Sequence, residues 1–123
     1  MVVTGGSSGI GLAAAVALAR RGDEVVLLGR DEGRLRRAVD AVREAGGGRT
    51  PPSYRADFAV LDEVRAAGER IAAAHERVDV LANNAGALFP ALSRTADGFD
   101  PAMQVNHLAG FLLAHLLRDR LAA

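Results

Sequence analysis

The sequence alternates short apolar runs with longer amphipathic segments, and this alternation constrains the fold more than any other feature. Apolar runs typical of buried strands lie at Met1–Thr4, Glu24–Gly29 and Val78–Ala82, and the mixed segment Ser53–Phe58, which follows two prolines, is a further candidate strand. Hydrophobic residues at helical spacing follow each run, in segments that begin near Ile10, Asp31, Val60 and Pro101. A strand joined through a helix to the next strand forms a parallel crossover in nearly every case. The sequence therefore predicts an α/β fold with a doubly wound parallel sheet, ending after the fourth βα unit.

The length and the connections predict the organisation of these units. At 123 residues the chain has the size of one domain, and no linker or low-complexity stretch interrupts it. We therefore expect a single domain over residues 1–123. Residues 87–99 lack periodicity and are predicted to form a loop, and the segment from Pro101 to the end is predicted to form one long helix.

Composition argues against several classes of partner. Fifteen acidic residues balance fifteen basic ones, so the chain lacks the excess of positive charge that attracts nucleic acid or an anionic membrane surface. Cysteine is absent and the three histidines lack the spacing of a metal site, so neither a disulfide nor a metal is expected. The N-terminus has no signal-peptide or membrane-spanning pattern, and a cytoplasmic location is expected.

A glycine-rich turn separates the first predicted strand from the first predicted helix. The pattern TG-x3-GIG, with two serines inside it, contains Thr4, Gly5, Ser7, Ser8, Gly9, Ile10 and Gly11. Glycines permit close approach of a ligand to the backbone, and the N–H groups at a helix N-terminus attract a pyrophosphate. An ordinary glycine turn is the alternative interpretation. The strand before it and the helix after it favour a dinucleotide site, because ligands of doubly wound sheets bind at this turn.

Three motifs together resemble the short-chain dehydrogenase/reductase family. They are TGGSSGIG, an aspartate (Asp57) after the third strand, and NNAG at residues 83–86. The segment TADGFDPAMQVNHLAGFLLAHLLRDRL is most similar to the retinol-dehydrogenase-like branch. The resemblance covers essentially the whole chain. It implies a Rossmann-type dinucleotide-binding domain and an NAD(P)-dependent oxidoreductase that reduces carbonyls or oxidises alcohols.

The resemblance implies cofactor contacts for the first turn and for the segment after the third strand. The glycines, the serines and Ile10 of the first turn would contact the cofactor diphosphate and the adjacent ribose. Asp57, which Phe58 follows, would accept a hydrogen bond from the adenine amino group. A helix N-cap for the segment that starts near Val60 is the alternative role of Asp57, and both roles are compatible.

The NNAG motif and the last helix provide the remaining predicted site residues. By resemblance, Asn83 would brace the sheet through backbone contacts, while Ala85 and Gly86 would leave room for the adenosine ribose. A strand-ending turn rich in asparagine and glycine is the alternative. Asn106 falls where the family has a catalytic asparagine that helps to hold water in a proton relay. A buried asparagine that caps a distortion in an apolar helix is the alternative for Asn106.

The end of the second strand distinguishes NADP from NAD in dinucleotide-binding folds. An acidic residue about 20 positions beyond the glycines favours NAD, and an arginine favours NADP. Gly29 lies 18 residues after Gly11, and Arg30 follows it. A guanidinium can hold a phosphate bidentately, so we predict NADP, with NAD as the alternative. Asp31 is close enough to reverse this prediction, and a solvated arginine at a helix entry is the other interpretation of Arg30.

The residues that complete the family's reaction are missing from this sequence. The family uses a Tyr-x3-Lys pair and a serine, whereas this sequence has no lysine, and its single tyrosine, Tyr54, has Phe58 four residues later. The resemblance therefore implies a fragment of an oxidoreductase, inactive by itself. A non-catalytic dinucleotide-binding module is the alternative. A third interpretation is another nucleotide-binding α/β protein, such as a methyltransferase, but the motifs NNAG and VNHL would then be coincidences.

The last predicted helix has two apolar stripes, which consist of Val105, Leu108, Ala109, Leu112 and Leu116 on one side and Leu113, Leu117 and Leu121 on the other. A helix that is apolar on two sides needs cover on both. In the family that the sequence resembles, one side packs on the sheet and the other on a partner subunit. We therefore expect a homo-oligomer, and a small carbonyl or alcohol as the substrate of the full-length form.

Overall fold

Four parallel strands form the sheet of this protein. The structure is a computed structural model and describes residues 1–90 and 92–123. The strand order is β3-β2-β1-β4, with β1 at Val2–Thr4, β2 at Val26–Gly29, β3 at Ser53–Arg55 and β4 at Leu81–Ala82. The helices between the strands are Gly9–Arg20 (α1), Glu32–Ala45 (α2) and Leu61–Ala74 (α3). This arrangement confirms the predicted α/β fold of the Rossmann type.

Each strand is shorter than the apolar run that predicted it. β3 ends at Arg55, so Asp57 and Phe58 lie in the connection to α3. β4 pairs with β1, and the register aligns Val3 with Ala82. Among the described strands β4 has no second neighbour, so this edge of the sheet is free.

The described residues divide into two compact units. The first unit consists of Met1–Arg55 and Val80–Asn84, and it contains the whole sheet with α1 and α2. The second unit consists of Ala56–Asp79 and Ala85–Ala123, and it contains α3 and the helices that follow Asp100.

The core of the first unit lies between the sheet and its two helices. The stripe predicted for α2 is buried, and α1 contributes small side chains that let it pack closely. The buried cluster consists of Val3, Ala15, Ala19, Val25, Leu27, Leu35, Ala38 and Val42. α1 ends at a Schellman turn, in which the N–H of Asp23 donates to the carbonyl of Leu18 and Gly22 has a φ of 91°.

The C-terminal helical region departs from the predicted single helix. It consists of Pro101–Met103 (α4), a π-helical segment at Gln104–Leu108, Ala109–Leu116 (α5) and Arg118–Leu121 (α6). The π segment is closed by a hydrogen bond from the N–H of Ala109 to the carbonyl of Gln104. The prediction of one continuous helix is therefore wrong, because a π turn contains one residue more than an α turn and interrupts its ladder.

The second unit is built around α3 and α5. Gly68 lets them pack closely, since a Cβ there would lie 2.8 Å from Cδ1 of Leu116. Buried hydrophobic residues of this unit include Val64, Ala67, Ile71, Ala109, Leu113 and Leu117. Residues 87–90 and 92–99 contain neither helix nor strand, as predicted for this loop, and Ala91 lies outside the described residues.

Candidate dinucleotide site

The first turn leaves the N-terminus of α1 open. Ser8 is the N-cap residue, but its side chain makes no capping hydrogen bond. Gly9 has a φ of 53°, with open space where a Cβ would project, and Ile10 is 81% exposed. The first N–H groups of a helix have no acceptor within the helix, so an anion can bind them here.

Gly11 holds the start of α1 against the turn that precedes it. A Cβ at this position would overlap the carbonyl oxygen of Gly5 and lie 2.5 Å from Nδ2 of Asn84. Only glycine fits, because the obstructing oxygen belongs to the backbone and cannot rotate away. The third glycine of the motif therefore fixes the distance between the helix and the turn.

Asn84 and Thr4 connect the end of β4 to the end of β1. Nδ2 of Asn84 donates to the carbonyl of Thr4 at 3.1 Å, and the N–H of Asn84 donates to Oγ1 of Thr4 at 3.0 Å. Oγ1 of Thr4 also donates to the carbonyl of Ala82 at 3.2 Å. These bonds come from Asn84, the neighbour of Asn83, for which the resemblance implies bracing through backbone contacts; both asparagines are exposed. The N–H of Asn84 also donates to the carbonyl of Ala82 at 2.9 Å, so the chain turns at Asn83.

The end of β2 has no room for a side chain at Gly29. A Cβ there would lie 2.8 Å from Oγ of Ser7. The next residue, Arg30, is exposed. The carboxylate of Asp31 caps α2, because its Oδ1 accepts the N–H of Arg34 at 2.8 Å. That hydrogen bond, helped by the charge of the Arg34 guanidinium, lowers the pKa of Asp31 below its usual value.

Asp57 and Phe58 belong to a tight turn between β3 and α3. The turn is closed by the N–H of Val60, which donates to the carbonyl of Asp57 at 3.0 Å. Oδ1 of Asp57 accepts the N–H of Ala59 at 2.9 Å, and the N–H of Asp57 donates to Oε2 of Glu63 at 2.7 Å. Asp57 is half-buried, while the side chain of Phe58 is buried.

The N-terminus of α3 is capped by a residue far along the chain. Val60 is the N-cap residue and makes no side-chain cap, and the N–H of Leu61 donates to Oδ2 of Asp97 at 3.0 Å. The alternative role of Asp57 as the N-cap of this helix is therefore wrong. The carboxylate of Asp57 is instead engaged inside its own turn.

Asn106 lies within the π segment and holds the loop that follows the NNAG motif. Its Oδ1 accepts the N–H of Ala87 at 2.8 Å, and its Nδ2 donates to the carbonyl of Ala87 at 2.9 Å. A Cβ on Gly86 would lie 3.2 Å from Oδ1 of Asn106, so a glycine there eases this approach. The helix is distorted at Asn106, as the alternative interpretation held, but the residue is exposed and not buried.

The predicted site residues fall into two groups, which the two units hold separately. The first unit holds Gly5, Ser7, Ser8, Gly9, Ile10, Gly11, Arg30 and Asn83, and the second holds Asp57, Phe58, Ala85, Gly86 and Asn106. In the first unit, the open helix N-terminus and the exposed guanidinium fit an anionic dinucleotide. Sequence reasoning missed Thr4 and Asn84 as the residues that brace this edge, although both stand next to predicted site residues.

The described residues contain neither a metal-binding cluster nor a membrane-spanning helix. Within residues 1–90 and 92–123, no three His, Asp or Glu side chains are grouped so that they could hold a metal ion. Over the same part of the chain, no helix has both the length and the apolar character needed to cross a membrane.

Comparison with known sequences reveals a consistent family relationship. The model of the family described as short chain dehydrogenase matches residues 1–122. A protein of Streptomyces sp. strain C5, named as a daunorubicin C-13 ketoreductase, is 53% identical over 122 residues, which cover 99% of this chain and 42% of that protein. Human retinol dehydrogenase 13 is 38% identical over 123 residues, which cover 100% of this chain and 37% of that protein.

Comparison with solved structures supports the same relationship. A short-chain dehydrogenase from Sphingobium yanoikuyae in complex with NADPH has a TM-score of 0.79 and 31% identity, over 94% of this chain and 45% of that one. The chain thus spans less than half the length of these relatives.

Proposed function

Because the chain belongs to the short-chain dehydrogenase family, we propose that the protein is an NADP-dependent oxidoreductase that reduces a carbonyl or oxidises an alcohol. The observation that carries this proposal is the start of α1, where the Ser8 side chain leaves the first amides uncapped and Gly9 leaves open space beside them. The relative named as a ketoreductase favours carbonyl reduction as the working direction. The bound nicotinamide would supply the hydride.

The proposed dinucleotide contacts are those that the family resemblance implies. The first turn and α1 bind the diphosphate through backbone N–H groups and serine hydroxyls. Asp57 accepts a hydrogen bond from the adenine amino group, next to Phe58, and Ala85 and Gly86 border the adenosine ribose. The proposed cofactor residues are Gly5, Ser7, Ser8, Gly9, Ile10, Gly11, Arg30, Asp57, Phe58, Asn83, Ala85 and Gly86.

The choice of NADP over NAD depends on the end of β2. Asp31, the residue that could have reversed this choice, uses its carboxylate to cap α2. Ser7 leaves no space for a carboxylate at Gly29. Arg30 is exposed, so its guanidinium can pair with a 2′-phosphate. These three observations support NADP.

Calorimetric titration with NADPH and with NADH tests this proposal. We expect the wild-type protein to bind NADPH about tenfold more tightly than NADH, and Arg30→Ala to remove that preference, because a charge-assisted hydrogen bond contributes roughly 1.5–3 kcal/mol. Arg43→Ala, which removes an exposed arginine in the last turn of α2, is the matched control and should keep the preference. Tighter binding of NADH by the wild-type protein would refute the NADP assignment.

The proposed chemistry also needs a proton donor. Asn106 is the proposed catalytic asparagine of the proton relay. Because its side-chain amide bonds to Ala87, we propose that it takes part in the relay through its backbone. Tyr54 is buried in β3, and lysine is absent from the sequence, so residues 1–123 contain no Tyr-x3-Lys pair. We propose that these 123 residues by themselves bind the cofactor without turnover.

A non-catalytic dinucleotide-binding module, with the same proposed cofactor residues, is the second candidate. Both candidates bind NADPH, so binding does not separate them. Oxidation of NADPH by the full-length protein with a panel of ketones and aldehydes does. Turnover supports the oxidoreductase, while binding without turnover supports the module.

We also propose that residues 1–123 belong to one dinucleotide-binding domain and that the protein forms a homo-oligomer. Three large apolar side chains of the C-terminal helices are exposed in the chain: Met103 is 52% exposed, Phe111 68% and Leu121 37%. Sedimentation velocity should show a dimer or larger species, and Phe111→Asp should shift it towards monomer. A monodisperse wild-type monomer would contradict this. The cytoplasmic location stays a prediction.

A further inference from the structure

A buried glutamine in the π segment carries a hydrogen-bond network to which the proposed function assigns no role. Gln104 has no solvent exposure. Its Nε2 donates to the carbonyl of Phe58 at 3.1 Å and to Oδ2 of Asp97 at 3.0 Å, and its Oε1 accepts the hydroxyl of Thr95 at 2.6 Å. A buried amide costs free energy unless both of its ends are paired, and here both are.

The backbone of Gln104 is held as firmly as its side chain. Its N–H donates to the carbonyl of Asp100 at 2.9 Å, and its carbonyl accepts the N–H of Ala109 that closes the π turn. The Nε2 group is thus a donor with a defined position, which the helix and the loop fix together.

The carbonyl that Gln104 holds belongs to the peptide group that orients Asp57. This group consists of the carbonyl of Phe58 and the N–H of Ala59, and a peptide group is planar. Nε2 of Gln104 bonds its carbonyl side, and Oδ1 of Asp57 accepts from its N–H side at 2.9 Å. Rotation of this one peptide group would break both bonds. The orientation of the Asp57 carboxylate therefore depends on Gln104.

We propose that Gln104 is a positioning residue for adenine recognition: through the Phe58–Ala59 peptide it sets the Asp57 carboxylate so that Oδ2 can accept the adenine amino group. This inference rests on the proposed function, in which Asp57 binds adenine. It goes further, because it assigns selectivity for the base to a residue that does not touch the base.

The test compares three cofactors that differ by one group each. NADPH carries the amino group and the 2′-phosphate, reduced nicotinamide hypoxanthine dinucleotide phosphate lacks the amino group, and NADH lacks the phosphate. We expect the full-length wild-type protein to bind NADPH about tenfold more tightly than the hypoxanthine analogue, as for loss of a hydrogen bond to a charged group. Gln104→Met, which keeps the side-chain length without the donors, should reduce that ratio to threefold or less and leave the NADPH-to-NADH ratio unchanged.

A matched control separates positioning from loss of stability. Leu117→Val reduces a fully buried side chain of the same unit and should leave both ratios unchanged. If Gln104→Met fails to fold, Thr95→Val is the second variant, because it removes the hydroxyl donor to Oε1 of Gln104 with little change of shape. It should lower the adenine ratio, which is the affinity for NADPH divided by the affinity for the hypoxanthine analogue, by about half.

The outcomes distinguish the inference from the proposed function. A folded Gln104→Met protein with an unchanged adenine ratio overturns the inference alone, and so does an equal fall in both ratios. A wild-type protein that binds none of the three dinucleotides overturns the proposed function as well.

Discussion

Replacing Gly11 with alanine is expected to lower the free energy of unfolding by about 3 kcal/mol, the upper part of the usual range for an overpacked site. The added Cβ would overlap the carbonyl oxygen of Gly5 and crowd Nδ2 of Asn84. Relief requires α1 to move away from the turn, and the movement would displace the amides proposed to bind the diphosphate. NADPH affinity should therefore fall by about a hundredfold or more, since several charge-assisted hydrogen bonds weaken together.

Chemical denaturation and calorimetric titration measure the two effects, and Gly33→Ala is the matched control. Gly33 also lies in the first turn of a helix that follows a strand, but a Cβ there would lie 3.3 Å from Oδ1 of Asp31 and 3.8 Å from Nη1 of Arg37. The Asp31 carboxylate, which caps α2, needs to shift by only a few tenths of an ångström, and Arg37 lies at an ordinary contact distance. We expect Gly33→Ala to change stability by less than about 1 kcal/mol, because alanine favours the helix by a similar amount. Equal stability of the two variants would disprove the close packing at Gly11.

Replacing Asn84 with alanine is expected to cost about 2 kcal/mol of stability, since the carbonyl of Thr4 loses its side-chain donor. The same amide lies against Gly11, so its removal should also loosen the first turn and weaken NADPH binding. Thermal or chemical unfolding measures the first effect, and titration with NADPH the second.

The neighbouring asparagine provides the control for this variant. Asn83 is exposed, and Asn83→Ala should change stability by less than about 0.5 kcal/mol. Asn84→Asp keeps the shape of the side chain but removes the N–H donor, so it should be about as harmful as Asn84→Ala. A stable Asn84→Asp protein, or an Asn83→Ala protein that loses more stability, would refute the assignment of the bracing contacts.

Hydrophobic periodicity was sufficient to predict the fold. Val26–Leu28 is buried on both faces, as a continuous apolar run predicts. In α2 the helical spacing of Leu35, Ala38, Val39 and Val42 predicts one apolar face, and all four are buried except Val39, which is half-buried. The glycine pattern likewise located the first turn, since few other residues can adopt its backbone or permit its close contacts. These features depend on residues that are near one another in the sequence.

Hydrophobic periodicity and the glycine pattern could not predict contacts between residues that are distant in the sequence. The resemblance implied a bracing role for Asn83 and did not identify the hydrogen bonds of Asn84 to Thr4, which lies 80 residues away. Asp97, and not Asp57, caps α3, across 36 residues. Periodicity shows that a side chain faces inward or outward, but it does not identify the polar group that the side chain meets.

The break in the last helix also depends on contacts between distant residues. The amphipathic pattern from Pro101 onwards fits a continuous α-helix, yet Gln104 and Asn106 bond to Phe58 and Ala87 outside it. The sequence by itself determined the order of the elements, the parallel sheet and the glycine turn, because local spacing and backbone freedom encode them. Only the tertiary structure decided which asparagine braces the sheet, which aspartate caps α3 and where the helix changes its winding. Those choices depend on hydrogen bonds that exist only once distant segments have been brought together.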